Sequence, residues 1–225
     1  LEFNKAGACT KIPGQERIPS AFKVAHYPVV EKDSLIWIWM GDAELADESQ
    51  IVGCPWHSDS KWGWRDETYL LDCNHEFMND NLLDLTHVGF VHRNTIGGDP
   101  EVHVSAKTDT KREDDKVTVT RWMLDSPPPP TYVKSVGFEG NVDRWQTIEF
   151  WPGLLHIYTG ATEVGSGVSN DTLDEAQSFG GFHNRIFNGI TPVTETGCYY
   201  FWSAAHGHNV GDPAVSDAHF SEISN

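Results

Sequence analysis

The chain has 225 residues, with 33 acidic and 16 basic side chains and a formal net charge of −17. Such a surface repels phosphate backbones and anionic lipids, which excludes nucleic acid and membranes as partners. No segment approaches the roughly 18 apolar residues of a membrane helix. The four cysteines are scattered without a C-x-x-C pair, so we expect reduced thiols and a cytoplasmic protein.

The first part of the chain shows two short β patterns, at residues 22–30 and 35–40. A polar stretch, GDAELADE, follows the second pattern, and we place a domain boundary near Ala46, which gives domains 1–46 and 47–225. Because the chain starts at Leu1 and its first methionine is Met40, we expect a fragment or a processed product.

Further along, short runs of aromatic and β-branched residues with period two predict a large antiparallel sheet. Long helices do not alternate with these runs, so the fold class is α+β rather than a parallel α/β arrangement. We predict a helix at about residues 77–88, a turn at 43–48, an extended proline link at 127–130, a surface loop at 160–177 and a helical tail from Asp212. The predicted strands cover residues 116–124, 145–152, 154–160, 180–190 and 198–205.

The segment MNDNLLDLTHVGFVHR contains the pattern N-x2-D-x2-H-x4-H, carried by Asn81, Asp84, His87 and His92. With eleven histidines in the chain, two at this spacing are expected by chance about 0.5 times. Adding the aspartate and the asparagine lowers that expectation to roughly 0.002. The pattern therefore indicates a site.

On a helix, Asn81, Asp84 and His87 would form one polar stripe, and a carboxylate at Asp84 could accept the second N–H of His87. His92 lies about 140° around a regular helix from His87, so we expect a break at Gly89 that lets both rings converge. Two neutral histidines and a carboxylate form the iron site of non-haem oxygenases, and a zinc hydrolase uses similar ligands. We favour iron.

These residues resemble the oxygenase component of Rieske non-haem iron oxygenases, within the vanillate O-demethylase and dicamba demethylase group. DNLLDLTHVGFVH carries the family motif, and LIWIWMGDAELAD, VDRWQ and ITPVTETGCYYFW also resemble the group. The resemblance implies a helix-grip catalytic domain with a large antiparallel sheet, preceded by the β-rich tail of a Rieske domain.

The resemblance implies that His87 and His92 bind a mononuclear Fe(II), with Asn81 near it. It implies that Asp84 bridges to the [2Fe–2S] cluster of a neighbouring subunit in a homotrimer. Electrons from NADH would arrive through a flavin and [2Fe–2S] reductase, and O2 would hydroxylate a substrate methyl group. An aryl methyl ether would then give a phenol and formaldehyde.

Two departures from the family pattern stand out. No C-x-H precedes the CPWH of Cys54 and His57, so we expect no [2Fe–2S] ligands in this chain and a cluster only in the full-length protein. The family's third iron ligand is a late aspartate, which we expect beyond Asn225. The isolated fragment should then be inactive.

For substrate contacts we propose the strand residues His156 and His183, with Asn184 and Trp151 as weaker candidates. An imidazole there could hold the carboxylate of a small aromatic acid such as a methoxybenzoate. His206 and His208 have metal-like spacing but fit a surface loop. The alternatives are ring cis-dihydroxylation and a metal-free ligand-binding module on the same fold.

Overall fold

The computed structural model describes residues 1–224. The backbone divides into two compact units, Leu1–Pro55 and a second unit that begins at Trp56. No helix in residues 1–224 has both the length and the apolar character needed to cross a bilayer.

The first unit consists of two small antiparallel ribbons. One pairs β1 (Glu2–Phe3) with β2 (Cys9–Lys11), and the other pairs β3 (Val29–Lys32) with β4 (Leu35–Ile38). Most of its side chains are exposed or half-buried. Single-turn 3-10 helices follow at Ala43–Leu45 and Glu48–Gln50, where Asp42 and Asp47 cap the free N–H groups.

The second unit is built on a seven-stranded sheet in which every neighbouring pair is antiparallel. Its spatial order is β5-β11-β10-β9-β8-β7-β6. The strands are β5 (Gly63–Leu71), β6 (Lys107–Glu113), β7 (Lys116–Ser126), β8 (Val142–Trp151), β9 (Leu154–Glu163), β10 (Phe182–Thr194) and β11 (Gly197–His206).

Five α-helices accompany the sheet in the described part of this unit, and several pack against it. The longest is the C-terminal helix, which packs on β5 and β11, where Phe220 stacks on Trp202 with ring centroids 4.4 Å apart. The helices are α1 (His75–Leu83), α2 (Val88–Val91), α3 (Pro100–Val104), α4 (Pro130–Val136) and α5 (Pro213–Ser224).

The prediction of a large antiparallel sheet is confirmed. The five strand predictions in this unit fall on β7 to β11, and the helical tail falls on α5. Two predictions are wrong: the segment 77–88 is not one continuous helix, and Pro130 begins α4 instead of ending an extended link. Two others hold only in part: the β pattern at 22–30 is a strand only at Val29 and Val30, and the predicted loop at 160–177 begins inside β9 and ends inside a 3-10 helix, Leu173–Phe179. Sequence patterns missed β1, β2, β5, β6, α3 and α4.

Candidate metal centre and substrate cavity

The two histidines of the motif lie in an irregular segment between α1 and α3. Helix α1 ends at Leu83, and Asp84 leaves helical geometry with φ −88° and ψ 88°. A 3-10 turn, Leu85–His87, leads directly into α2, and a π turn, Arg93–Gly97, follows His92. The chain therefore bends twice, once before His87 and once after His92.

A backbone carbonyl three residues earlier in the chain holds the His87 ring in one orientation. Its Nδ1 donates to the carbonyl oxygen of Asp84, which leaves the Nε2 lone pair available to a metal. The carboxylate of Asp84 accepts instead from the N–H and the hydroxyl of Thr86. Asp84 orients His87 through its carbonyl, so the expected contact through its carboxylate is wrong.

The Asp84 carboxylate itself is exposed. Its hydrogen bonds with Thr86 hold its pKa below the usual value, so it stays ionised at neutral pH. An exposed, ionised carboxylate at this position can be reached by another protein surface. Its role as an electron bridge stays a prediction.

His92 lies close to His87, with the two ring centroids 5.9 Å apart. With a metal–nitrogen bond of about 2.1 Å, two rings that share one metal have centroids roughly 4.6 Å apart when they are adjacent ligands and roughly 6.5 Å apart when they are opposite, so the observed separation lies between these limits. Burial, together with the neighbouring His87, lowers the pKa of His92, which favours the neutral form that binds metals. The pair thus fits two positions of a metal site.

A complete ligand set is absent from residues 1–224, because no group of three histidine, cysteine or acidic side chains there is arranged to hold an ion. Asn81 is exposed at the rim of the same cavity that both histidines line. The predicted third ligand, beyond Asn225, lies outside the described residues.

The predicted break at Gly89 is wrong, because α2 runs through this residue. A Cβ atom at Gly89 would lie 2.8 Å from both the His103 ring and the Pro100 Cα. Gly89 therefore permits close packing of α2 on α3, while the bends at Asp84 and after His92 allow the two rings to converge.

Arg144 on β8 fixes the π turn that follows His92. Its guanidinium donates to the carbonyl oxygens of Ile96 at 2.7 Å and Gly97 at 2.9 Å. His103 also bonds the Gly97 carbonyl, at 2.9 Å. Because charged donors make strong hydrogen bonds, this contact anchors the segment to the sheet.

A cavity of about 220 Å³ opens beside the two histidines. Engineered cavities of roughly 150 Å³ accommodate benzene, so this space suits one substituted aromatic ring. Its apolar lining comes from Tyr69, Leu82, Leu85, Val88, Ile96, Tyr132, Ile157, Ile186, Tyr200, Trp202 and Ile223.

Strand register decides which side chains reach this cavity. Gln146 pairs with Thr159, which pairs with Asn184, so the three form one row across β8, β9 and β10. Directly paired residues share a sheet face, and all three line the cavity. We call these three residues the polar row.

His156 and His183 point away from this cavity, because neighbouring residues on a strand alternate between faces. A substrate beside His87 would contact Asn184 and neither histidine. The register thus corrects their expected placement, although the substrate-contact assignment as a whole stays a prediction.

The side chains of both histidines are buried on the face of the sheet opposite the cavity. The ring nitrogens of His183 bond the Tyr158 hydroxyl at 2.7 Å and the Gly180 carbonyl at 2.9 Å. The ring of His156 packs edge-on against Trp56 and Trp151. Burial lowers the pKa of His183 to about 4 and of His156 to about 3.

Sequence reasoning missed the polar residues of β8. Arg144 and Gln146 belong to VDRWQ, and both line the cavity. The register of β8 against β9 identifies them. Trp145, which lies between them in sequence, faces the other side of the sheet and packs against Tyr158.

Cys54 and His57 have separate surroundings. The Cys54 N–H donates to the Asp33 carboxylate at 2.6 Å, and burial, reinforced by Asp33, raises the pKa of its thiol to about 12. The His57 ring stacks on Trp64 with centroids 4.1 Å apart and bonds the Ser203 hydroxyl at 2.7 Å. The protonated Cys54 thiol is a poor metal ligand.

Sequence comparison finds relatives along almost the whole chain. Residues 71–224 match the family of the vanillate O-demethylase oxygenase C-terminal domain. A toluene-4-sulfonate monooxygenase system iron-sulfur subunit from Comamonas testosteroni is 36% identical over 96% of the chain. A vanillate O-demethylase oxygenase subunit from a Pseudomonas species is 32% identical over 91% of the chain.

Structure comparison agrees with the sequence matches. Dicamba monooxygenase bound to 3,6-dichlorosalicylic acid superposes with a TM-score of 0.87 at 26% identity, covering 100% of this chain and 64% of that one. Dicamba monooxygenase with non-heme iron and dicamba superposes over 96% of this chain and 59% of that one, at a TM-score of 0.73 and 24% identity.

The matched relatives are longer than this chain. The chain spans 62% of the length of the Comamonas protein and 57% of that of the Pseudomonas protein.

Proposed function

Because the chain belongs to the vanillate O-demethylase oxygenase family, we propose that it is the catalytic part of the oxygenase component of a Rieske-type aromatic monooxygenase. The reaction is the O2-dependent and NADH-dependent O-demethylation or hydroxylation of a small aromatic acid. The observation that carries the proposal is the convergence of His87 and His92 on a cavity the size of one aromatic ring.

In this proposal His87 and His92 hold a mononuclear Fe(II), together with an aspartate beyond Asn225. When bound, this iron supplies the activation of O2. His87 keeps its Nε2 lone pair toward the metal because its Nδ1 is engaged by the Asp84 carbonyl. The apolar side chains of Leu85, Val88 and Ile186 exclude water from the space that a substrate ring would fill.

Electrons and assembly are further parts of the proposal. Residues 1–46 form the end of the cluster-bearing domain, and the [2Fe–2S] cluster belongs to the full-length protein. A flavin and [2Fe–2S] reductase would supply electrons, and Asp84 would link the cluster of one subunit to the iron of the next in a cytoplasmic homotrimer. The exposure of the Asp84 carboxylate supports this role.

Substrate class is supported by the relatives. The names toluene-4-sulfonate and vanillate denote aromatic anions. A single ring that carries an acid group fits the volume and the mixed lining of the cavity.

Iron content tests the proposal directly. We would measure iron in the complete polypeptide that contains this chain, and expect mononuclear iron in addition to the cluster. The double variant His87→Ala, His92→Ala should lose the mononuclear iron and keep the cluster. Retention of that iron, or its absence from the unaltered protein, would sink the proposal and favour a metal-free binding module.

Two further measurements sharpen the test. His156→Ala is the matched control, since its ring lies on the other face of the sheet, and it should retain the iron. Formaldehyde release from a methoxybenzoate identifies demethylation, whereas a cis-dihydrodiol product identifies ring dihydroxylation.

A further inference from the structure

Two buried arginines stand beside the cavity without a carboxylate partner. The exposed fraction is 1% for Arg144 and 5% for Arg121. Among the ion pairs within residues 1–224, none includes either guanidinium. Arg144 donates to backbone carbonyls, and Arg121 donates to the His103 carbonyl at 2.6 Å and to the Gln146 amide oxygen at 3.2 Å.

Neutral acceptors bond the terminal guanidinium nitrogens of Arg144 and of Arg121, while the Arg144 Nε has no partner among the described residues. These contacts leave the charges uncompensated, which is costly in a protein interior. The exposed Asp84 acts on Arg121 only through space. The cavity lining contains Arg144 and no aspartate or glutamate within the described chain. In a protein with net charge −17, this cavity is therefore an isolated region of positive potential.

The polar row adds oriented donors to that charge. Because the Gln146 Oε1 accepts from Arg121, its NH2 group is directed away from that contact and remains free to donate. His219 on α5 donates to the Asn184 Oδ1 at 3.0 Å. Because this oxygen is occupied, the Asn184 NH2 group is likewise directed away from the contact and can donate. Thr159 lies between them and contributes a hydroxyl.

The Asn188 amide, farther along β10, is satisfied within the protein. The Asn188 Oδ1 accepts from the Tyr200 hydroxyl at 2.7 Å, and its NH2 group donates to the Leu155 carbonyl at 3.3 Å. The cavity therefore offers the donors of the polar row next to Arg144, together with the unpartnered Tyr132 hydroxyl and Trp202 Nε1.

We propose that Gln146, Thr159 and Asn184 bind the acid group of the substrate, a carboxylate or sulfonate on an aromatic ring, within the positive potential of Arg144. Arg121 and His219 act as positioning residues that turn the two amides toward the ligand. The inference rests on the proposed function for the aromatic ring, and it assigns the acid group to residues other than His156 and His183.

Calorimetric titration of the metal-free protein tests this site without a contribution from metal coordination. The probes are 4-methoxybenzoate, toluene-4-sulfonate and the neutral methyl 4-methoxybenzoate. We expect at least one anion to bind about ten-fold or more tightly than the ester, because hydrogen bonds to a charged group are stronger than those to a neutral one. The two anions distinguish a carboxylate substrate from a sulfonate substrate.

Variants of the polar row locate the contact. Thr159→Val should weaken anion binding several-fold and leave ester binding unchanged. Thr147→Val, the same substitution on the opposite face of the neighbouring strand, is the matched control and should change neither. Gln146→Glu keeps an oxygen acceptor for Arg121, so it should fold, yet its charge should abolish anion binding.

Equal affinity for ester and anions, no binding of either anion, or full anion affinity in Gln146→Glu would each overturn the inference. These outcomes are independent of the iron measurement. Anion binding in a protein that never holds mononuclear iron would leave the polar row intact and refute the proposed function. Iron binding without anion selectivity would refute the assignment of the polar row and leave the proposed function intact.

Discussion

At the scale of single residues, the position of His92 depends on a glycine five residues later. Gly97 donates to the His92 carbonyl at 2.9 Å and closes the π turn. A Cβ atom at Gly97 would lie 2.1 Å from the Val88 carbonyl oxygen and 2.8 Å from the His92 carbonyl oxygen. These neighbours are backbone atoms, so the turn has no room for a side chain.

We therefore expect Gly97→Ala to lower the free energy of unfolding by about 2 kcal/mol or more, in line with overpacked sites. Urea denaturation followed by tryptophan fluorescence measures the loss. Gly140→Ala is the control, because a Cβ there meets nothing within 4 Å, and it should change stability by less than about 0.5 kcal/mol. Equal stability of the two variants would show that the π turn can accommodate a side chain at position 97.

The motif residues could be predicted from sequence because their spacing is local. His87 and His92 are five residues apart, and a short bent segment brings them together whatever the rest of the chain does. The members of the polar row are 13 and 25 residues apart along three strands. A shift of one residue in register would turn each to the other face, so sequence alone could not identify them.

At the scale of secondary-structure elements, α5 closes one side of the cavity. Ile223 reaches the lining, His219 bonds Asn184, and Phe220 stacks on Trp202. The helix thus contributes both apolar cover and the orientation of one cavity amide. Its docking depends on the aromatic contact more than on exposed charges.

We expect Phe220→Ala to destabilise the docking of α5, because loss of a packed aromatic side chain costs about 3–5 kcal/mol when fully buried and less at this half-buried site. Hydrogen exchange of the α5 amides should accelerate, while the amides of β8 and β9 keep their protection. Ala218→Ser, on the exposed face of the helix, serves as the control. Uniform acceleration across the sheet would indicate global destabilisation instead.

Some elements are absent from the sequence predictions, either because they lack an apolar pattern or because their only signal is a short helix cap. Strand β6, KTDTKRE, is exposed throughout and exists through its pairing with β7, so it lacks an apolar pattern. Helix α3 does carry a start signal, with Asp99 as N-cap and Pro100 at the first turn. Helix α4 likewise begins at a proline and ends before Gly137, which has φ +76°.

At the scale of the whole molecule, the sheet and its helices enclose an unusual number of neutral histidines. Burial lowers the pKa of His103, His183 and His208 to about 4, and of His156 and His219 to about 3. In the unfolded chain each would titrate near 6.5. Below that pH the unfolded state binds more protons than the folded state.

The free energy of unfolding should therefore be highest above about pH 6.5 and should decrease as the pH drops toward 4. Each such histidine contributes a decrease of up to about 1.4 kcal/mol per pH unit. We expect a loss of several kcal/mol between pH 6.5 and 5, measured by urea unfolding at each pH. His183→Gln should make this dependence shallower, whereas substitution of the exposed His26 by glutamine should not. A flat profile would contradict the burial of these rings.

The acid-free cavity lining has a kinetic consequence. An anion approaching this protein meets the repulsion of seventeen net negative charges before it reaches the local attraction of Arg144. Added salt screens the long-range repulsion over about 10 Å but acts little on a buried contact. The association rate of an anionic ligand should therefore increase as ionic strength rises, which is the opposite of electrostatic steering. Selectivity for the anion would then arise inside the cavity and not during the approach to the protein.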